Sequence, residues 1–382
     1  MKSYKYRIYP TIKQSKMLEE TLANCQRLYN VALEHKREVY RITKKNISCN
    51  EQQKELSSIR KTFPEYSKIH SQVLQNVFVR VDLAFEGFFR RIKISNKQCG
   101  FPRFKSKDSY NSFCFPQSGF AIKNNKVEIS KIGLIKTKFH RSIPVDNKIK
   151  TCTIKKEGSL WHIIFVCETP KIIKQEASSC NAIGIDLGLT DFAVLSNGEK
   201  ISNPKYLKKS EIKLKKIQRE YSKKRNKKNK HKLQNIHKKI ANQRKDFQHK
   251  LSRKLVNSFN FIIYEDLTIK KMIENNKYNL QKHIHDASWR TFILMLKYKA
   301  ENAGTYTIAI NPKGTTQQCS SCNSVTTKSL NVRLHNCTYC GFVANRDYNA
   351  ALNIHKLGIN FFDNYFLSSK ASMPLGSTQF TH

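Results

Sequence analysis

Acidic residues are what this chain lacks. Its 382 residues hold only 28 aspartates and glutamates against 70 lysines and arginines, a formal net charge of +42. Self-repulsion on that scale destabilises a compact fold unless a polyanion neutralises it. Nucleic acid is the polyanion the composition points to, and an anionic membrane surface is the alternative. Long apolar runs are missing as well. None approaches the roughly 20 residues that span a bilayer, which excludes a transmembrane helix. The opening "MKSYKYR" has no apolar core, which excludes a secretory signal. The expectation is a cytoplasmic, nucleoid-associated protein with no membrane partner. Cysteine is present 11 times, an odd number, so no disulfide framework can use them all. No glycine-rich phosphate loop, Ser/His/Asp set or activated cysteine stands out.

What is present divides the chain by pattern. "YKYRIYP" alternates and ends at Pro10, as a strand leaving a sheet does. Leu18, Leu22, Cys25, Leu28 and Leu33 keep helical spacing between Ser15 and Tyr40. Leu74, Val77, Val81, Ala84/Phe85 and Phe88/Phe89 repeat it, so residues 15–95 read as a small helical bundle. After the basic, aromatic "FPRFKSK", hairpin turns fall at Asn124-Asn125 and near Gly158. They predict a small β-barrel-like unit, closed by the N-terminal strand, of a kind that binds oligonucleotides along one face. Tyr4, Tyr6, Phe101 and Phe104 could stack on nucleotides there or pack the barrel.

From "NAIGIDLGLTDFAVLS" onward the pattern is strand, strand, helix, strand, helix, strand, which is α/β. Lys205 to Lys254 carries 21 basic and 3 acidic residues, with a helical stripe from Leu233 to Leu255. "KKRNKKNK" (223–230) reads as a loop between two helices, and the run as a nucleic-acid channel or a solvated face. "FNFIIYEDL" and "TYTIAI" are strands, and Asp286 or Ser288 N-caps a helix between them.

Two constellations carry chemistry. Cys319-x-x-Cys322 and Cys337-x-x-Cys340, with 14 residues between the pairs, have the spacing of a four-cysteine zinc ribbon. Gly341 and Asn323 follow the pairs, where a knuckle needs positive φ. An iron–sulfur cluster or paired disulfides are the rivals. Cys25, Cys49, Cys99, Cys114, Cys152, Cys167 and Cys180 read as buried reduced thiols. The second constellation is acidic. Asp186 sits in the first α/β strand, Glu265 ends "FIIYE", and Asp347 begins "RDYNAALNI". Carboxylates converging from separate elements suit magnesium and two-metal phosphodiester hydrolysis. Each alone has an ordinary reading: a turn acid for Asp186, a salt bridge for Glu265, an N-cap for Asp347. Asp191 and Asp266 read as turn caps, and His283 and His285 as part of a solvated loop.

In that order "GIDLGL", "YEDL", "CSSC…CTYCG" and "NRDYNAALNI" resemble the RuvC-type core of the TnpB (OrfB) family, transposon-encoded RNA-guided DNA endonucleases related to type V CRISPR effectors. "KYRIYPTIKQSKMLEETLANCQRLYN", "FPRFKSK" and "QHKLSRKLV" extend the likeness over nearly the whole chain. The resemblance implies a multidomain α+β protein. Residues 1–14 and 96–175 would form a split β-barrel wedge, and 15–95 a helical recognition lobe. Residues 180–312 and 343–360 would form a RuvC/RNase H-like nuclease core, interrupted by the zinc ribbon at 313–342. Residues 361–382 would be a disordered tail.

By the same likeness Asp186, Glu265 and Asp347 bind two catalytic magnesium ions, and Cys319, Cys322, Cys337 and Cys340 hold a structural zinc. The partners implied are a guide RNA from the transposon end and double-stranded target DNA, cut beside a short adjacent motif. A guide-directed regulator that does not cut and a DNA-only transposase are the alternatives. Three positions depart from the family pattern: Asn345 where an acid is frequent, Asn323 where Gly is usual, and Thr315-Thr316-Gln317 where Thr-Ser-Gln is common.

Overall fold

The structure, a computed structural model, describes residues 1–94, 99–144, 147–169, 181–274, 278–329 and 332–362. The expected disordered tail beyond Phe362, and Cys180, lie outside the described residues. Two compact units, Met1–Pro170 and Lys171–His382, divide the chain.

The first unit begins with β1 (Lys2–Tyr9) and the long helix α1 (Ile12–Thr43). That helix starts three residues before the apolar stripe suggests, because Thr11 and Gln14 form a reciprocal capping box. The short helices α2 (Cys49–Lys54), α3 (Leu56–Thr62) and α4 (Pro64–Ser67) follow, and then α5 (Ser71–Ile94). Leu74, Val77, Val81 and Phe88 of α5 are buried as their spacing requires, and of the Phe88/Phe89 pair it is Phe89 that faces out.

Six further strands complete the unit: β2 (Ser112–Phe115), β3 (Phe120–Lys123), β4 (Lys126–Ile129), β5 (Gly133–Lys138), β6 (Ile149–Glu157) and β7 (Leu160–Cys167). Asn124 and Asn125 turn β3 into β4 with φ of +45° and +58°, and Gly158, at +64°, turns β6 into β7. The strand order β2-β6-β7-β1-β5-β4-β3 corrects one expectation. The N-terminal strand does not close a barrel from its edge. It lies in the middle of an open, half-barrel sheet, antiparallel to β7 on one side and β5 on the other. Its alternation explains the placement, since Tyr4, Tyr6 and Ile8 all fall on the buried face. Tyr4 and Tyr6 are therefore packing residues. Phe101 and Phe104 stay exposed, the first stacked on Phe88 at 4.6 Å and the second lying 5.7 Å beneath the Arg37 guanidinium.

The second unit is α/β. Its strands are β8 (Ala182–Leu187), β9 (Asp191–Leu195) and β10 (Lys200–Ser202). The helices α6 (Tyr206–Lys223) and α7 (Lys227–Ser258) come next, then β11 (Phe261–Glu265) and the helices α8 (Ile269–Glu274), α9 (Tyr278–Ala287) and α10 (Trp289–Ala303). Last come β12 (Tyr306–Ile310), the hairpin β13 (Leu334–Asn336) and β14 (Val343–Asn345), and α11 (Arg346–Phe362). The five-stranded order is β10-β9-β8-β11-β12, with β8, β11 and β12 parallel. Helices α7, α9 and α10 cover one face, and α11 packs on the other. Among the described residues no helix is long and apolar enough to cross a membrane.

Three local readings need correction. The loop expected at 223–230 shrinks to three residues, because Asn226 accepts the Asn229 amide (2.8 Å) and caps α7. His283 and His285 stand exposed on α9, not in a loop. Neither Asp286 nor Ser288 caps α10 with its side chain. Asp286 instead binds Arg244 (2.7 Å) and the Leu207 amide (3.1 Å), and Ser288 occupies a left-handed corner at φ +52°. Of the scattered cysteines, Cys25, Cys49, Cys114, Cys152 and Cys167 are in no disulfide. Cys25, Cys152 and Cys167 are buried, whereas Cys49, Cys99 and Cys114 are half-buried.

Candidate active site and cysteine cluster

Two near-identical knuckles build the cysteine cluster. The Asn323 amide donates to the Cys319 carbonyl (2.9 Å) and the Gly341 amide to that of Cys337 (3.0 Å). Each turn then closes with a second bond, Cys319 N to Ser324 O (2.8 Å) and Cys337 N to Phe342 O (2.9 Å). Both turns need the left-handed residue that the sequence supplies, Asn323 at φ +64° and Gly341 at φ +71°. All four sulfurs lie within 4.8 Å of one another, and Cys319–Cys340 and Cys322–Cys337 approach to 3.6 Å. Thiolates at the Zn–S length stand about 3.8 Å apart on a tetrahedron, so this cluster fits zinc. Hydrogen bonds from the Ser324 hydroxyl, then from the Cys340 and Tyr339 amides, pull the Cys337 thiol down to about 5.

The carboxylates arise from strand register. Ile185 pairs with Tyr264 and Gly184 with Ile263 across the parallel β8–β11 ladder. Asp186 and Glu265 are the next step on each strand, at the C-terminal ends where α/β sheets bind ligands. Alternation puts them on the face of Gly184 and Ile263, which α11 covers. That helix runs antiparallel to the strands, so its first turn delivers Asp347 to the same end. Asp186 and Glu265 are buried, at 8% and 6% exposure. Burial, then Glu265, then Asp347 push the Asp186 carboxyl well above the usual carboxylate range, against the pull of Arg346 and Arg333. Burial raises Glu265 too, while a hydrogen bond from Thr315 lowers it.

The ordinary readings of the three acids do not hold. Asp186 lies within a strand, not a turn. Among the described residues Glu265 has no ion pair, and its carboxylate accepts the Thr315 hydroxyl (2.6 Å). Asn345, not Asp347, caps α11 by accepting the Asp347 and Tyr348 amides (2.9 and 3.4 Å). The Asp347 carboxylate is held by Arg346 (3.1 Å) and by Arg333 (3.3 Å), which also reaches Thr190 (3.3 Å). Among the described residues only the cysteines gather ligand atoms within 4.8 Å, so the acids are a looser, electrostatically coupled group. Their donor set, hard carboxylate oxygens with two members buried and mutually repelling, suits a divalent cation. Asp266 is exposed, and Asp191 opens β9.

Several residues escaped the sequence reading. Arg333 gained its role through the β13–β14 hairpin, which sets Arg333 beside Arg346 (amide to carbonyl, 2.8 Å). Asn349 and Asn353, one turn apart on α11, clamp the first knuckle. Asn349 accepts the Ser320 amide (2.9 Å) and donates to the Gln318 carbonyl (2.8 Å). Asn353 donates to Thr315 O (2.8 Å) and Gln318 O (2.7 Å). Two asparagines at i and i+4 inside an Ala/Ile stripe were the available signal.

Comparisons with known proteins agree along the chain. Family patterns match residues 1–45 ("Helix-turn-helix domain", OrfB_IS605 type), 164–276 ("Probable transposase", OrfB_IS605) and 289–354 ("Cas12f1-like, TNB domain"). Here the first of these segments folds as a strand and one long helix. A Streptomyces pristinaespiralis protein named "Putative RNA-guided DNA endonuclease" is 32% identical over 370 residues, covering 94% of this chain and 89% of its own. An Escherichia coli protein named "Putative RNA-guided DNA endonuclease InsQ" is 26% identical over 381 residues, covering 94% and 92%. In fold the chain is similar to the protein of the "Cryo-EM structure of the Cas12f1-sgRNA-target DNA complex", with TM-score 0.56 at 16% identity over 90% of this chain and 83% of that one. With such identity sustained over nearly its full length, the chain belongs to the TnpB (OrfB) family, which is related to the type V CRISPR effectors.

Proposed function

We propose that this chain is an RNA-guided, magnesium-dependent DNA endonuclease of an insertion-sequence transposon, cutting double-stranded DNA beside a short adjacent motif. Asp186, Glu265 and Asp347 are its metal-binding catalytic carboxylates, and Cys319, Cys322, Cys337 and Cys340 hold its structural zinc. One observation carries the reading: two carboxylates buried side by side at strand ends, facing a third, in a chain with few acids to spend. A buried, mutually repelling pair costs free energy that a bound cation recovers. Bound there, two magnesium ions supply Lewis-acid activation of the attacking water and the leaving oxygen.

The protein's own part is to hold the oxygens. The ladder fixes Asp186 and Glu265, the Asn345 cap fixes the first turn that carries Asp347, and the covering helix keeps Asp186 out of bulk water. Helices α6 and α7 form a hairpin around Leu214, Ile236 and Ile240. Glu211, Glu220 and Asp246, the acids of Lys205–Lys254, are already in ion pairs, so most of its 21 basic residues are left for phosphates. They line the channel for a guide RNA from the transposon end and its paired target strand. The wedge (1–14 and 96–175), recognition lobe (15–95), nuclease core (180–312 and 343–360) and ribbon (313–342) are the divisions this reading assigns. The presence of all three acids disfavours a regulator that binds without cutting. In a plasmid assay with magnesium, Asp186→Ala abolishes cleavage and leaves RNA binding intact; undiminished cleavage by that variant refutes the site.

A further inference from the structure

The ribbon does more than staple the chain between β12 and α11. Thr315 stands four residues before Cys319, with 2% of its surface exposed. Its hydroxyl is 2.6 Å from Glu265 Oε1 and 3.1 Å from the Pro312 carbonyl. One proton serves one strong bond, and the shorter, charge-assisted one takes it. Among the described residues Thr315 is the one side chain that hydrogen-bonds the Glu265 carboxylate.

Thr315 is itself fixed. Its carbonyl accepts from Asn353 (2.8 Å), whose amide also holds Gln318 O (2.7 Å). Asn353 is 3% exposed and lies on the helix whose first turn carries Asp347. A continuous path therefore runs from α11 through Asn353 and Thr315 to Glu265. It joins two elements that each carry a site carboxylate, through a segment that carries none.

Resting on the carboxylate site proposed above, we infer that Thr315 is a positioning residue. Its hydroxyl pins Glu265 Oε1 so that the carboxylate meets a divalent cation in one orientation, and Asn353 keeps that hydroxyl in place. Outer hydrogen bonds of this kind typically govern metal affinity without touching the metal.

The test uses the full-length protein with its RNA and Mn2+ as the probe, binding being read from the free-ion electron paramagnetic resonance signal. Thr315→Val keeps the shape and removes the hydroxyl. It is expected to weaken Mn2+ binding about 10- to 100-fold, with zinc content as in the parent. Thr315→Ser, which restores the hydroxyl, is expected to bind as the parent does. Parent-like binding by Thr315→Val overturns the inference, as does Thr315→Ser binding as weakly as Thr315→Val. A parallel loss of zinc in Thr315→Val also overturns it, by assigning Thr315 to the ribbon's own fold. Asp186→Ala separates the two levels. If it loses Mn2+ while Thr315→Val does not, only the positioning role fails; if it binds Mn2+ as the parent does, the carboxylate site and the inference fail together.

Discussion

Gly184 of β8 lies so close to α11 that a Cβ on it would stand 2.4 Å from the Ala351 carbonyl oxygen and 2.6 Å from the His355 amide nitrogen. Two residues along the same face is Asp186, and one turn back along the helix is Asp347. The close approach of backbone to backbone is thus what brings the two carboxylates into mutual reach. Gly184→Ala forces the helix outward. It is expected to cost at least about 1–3 kcal/mol, as overpacking does, and to lower cleavage with it. Gly358, whose added Cβ would meet the Ile263 side chain at 2.5 Å, opposes a side chain where Gly184 opposes backbone, and is expected to cost less when changed to Ala. Thermal melts of the two variants check the order; an unchanged Tm for Gly184→Ala contradicts the packing.

Asp186→Asn separates stability from activity. A carboxyl whose folded pKa is raised above its unfolded value of about 3.9 costs stability as pH rises past that value. The loss grows until the folded pKa is passed, so the metal-free protein weakens across that window. Asn removes the charge and the loss. The metal-free variant is expected to melt about 2–4 °C higher at neutral pH, the shift that roughly 1 kcal/mol gives in a unit the size of Lys171–His382, while cleavage disappears. A lower Tm would mean that Asp186 is stabilising and paired.

The cysteine cluster predicts one zinc per chain. Cys337→Ser is expected to release it and to melt the ribbon, because the four cysteines hold together a segment with little core of its own. Elemental analysis of purified parent and variant decides. Full zinc retention by Cys337→Ser, or iron in place of zinc in the parent, contradicts the assignment.

Lys213, Lys216 and Lys239 are exposed on α6 and α7. Changing all three to Gln is expected to flatten the dependence of log K on log salt for RNA–DNA heteroduplex binding, by about one for each phosphate no longer neutralised. Tm is expected to hold, since none is in the core. An unchanged slope would mark these helices as a solvated face.

Much of this was legible because chain pattern and chemistry coincide. The stripe from Leu18 to Leu33, the turns at Asn124-Asn125 and Gly158, and the two knuckles are local, and local rules govern them. The three acids were legible as types at strand ends and a helix start. Their partners were not. Thr315 meets Glu265 across 50 residues, and Arg333 meets Asp347 across 14, pairings that only the folded register creates. Helices α2 to α4 have four to seven residues each, too short for a periodic stripe to register. The central place of β1 was missed because alternation tells which face is buried, not how many neighbours a strand has. Ser288 looked like a helix cap by type, but its left-handed backbone turns a corner instead.

The measurement that tests the central claim most directly joins the RNA to the cut. The protein is purified from cells carrying its own locus, the bound RNA is sequenced, and a plasmid bearing the complement of its 3′ end is challenged with the complex and magnesium. The account predicts one enriched RNA that runs past the transposon edge, and cleavage of that plasmid alone, lost in Asp347→Ala. Heterogeneous RNA released by moderate salt, or cleavage indifferent to the plasmid's match, would contradict it.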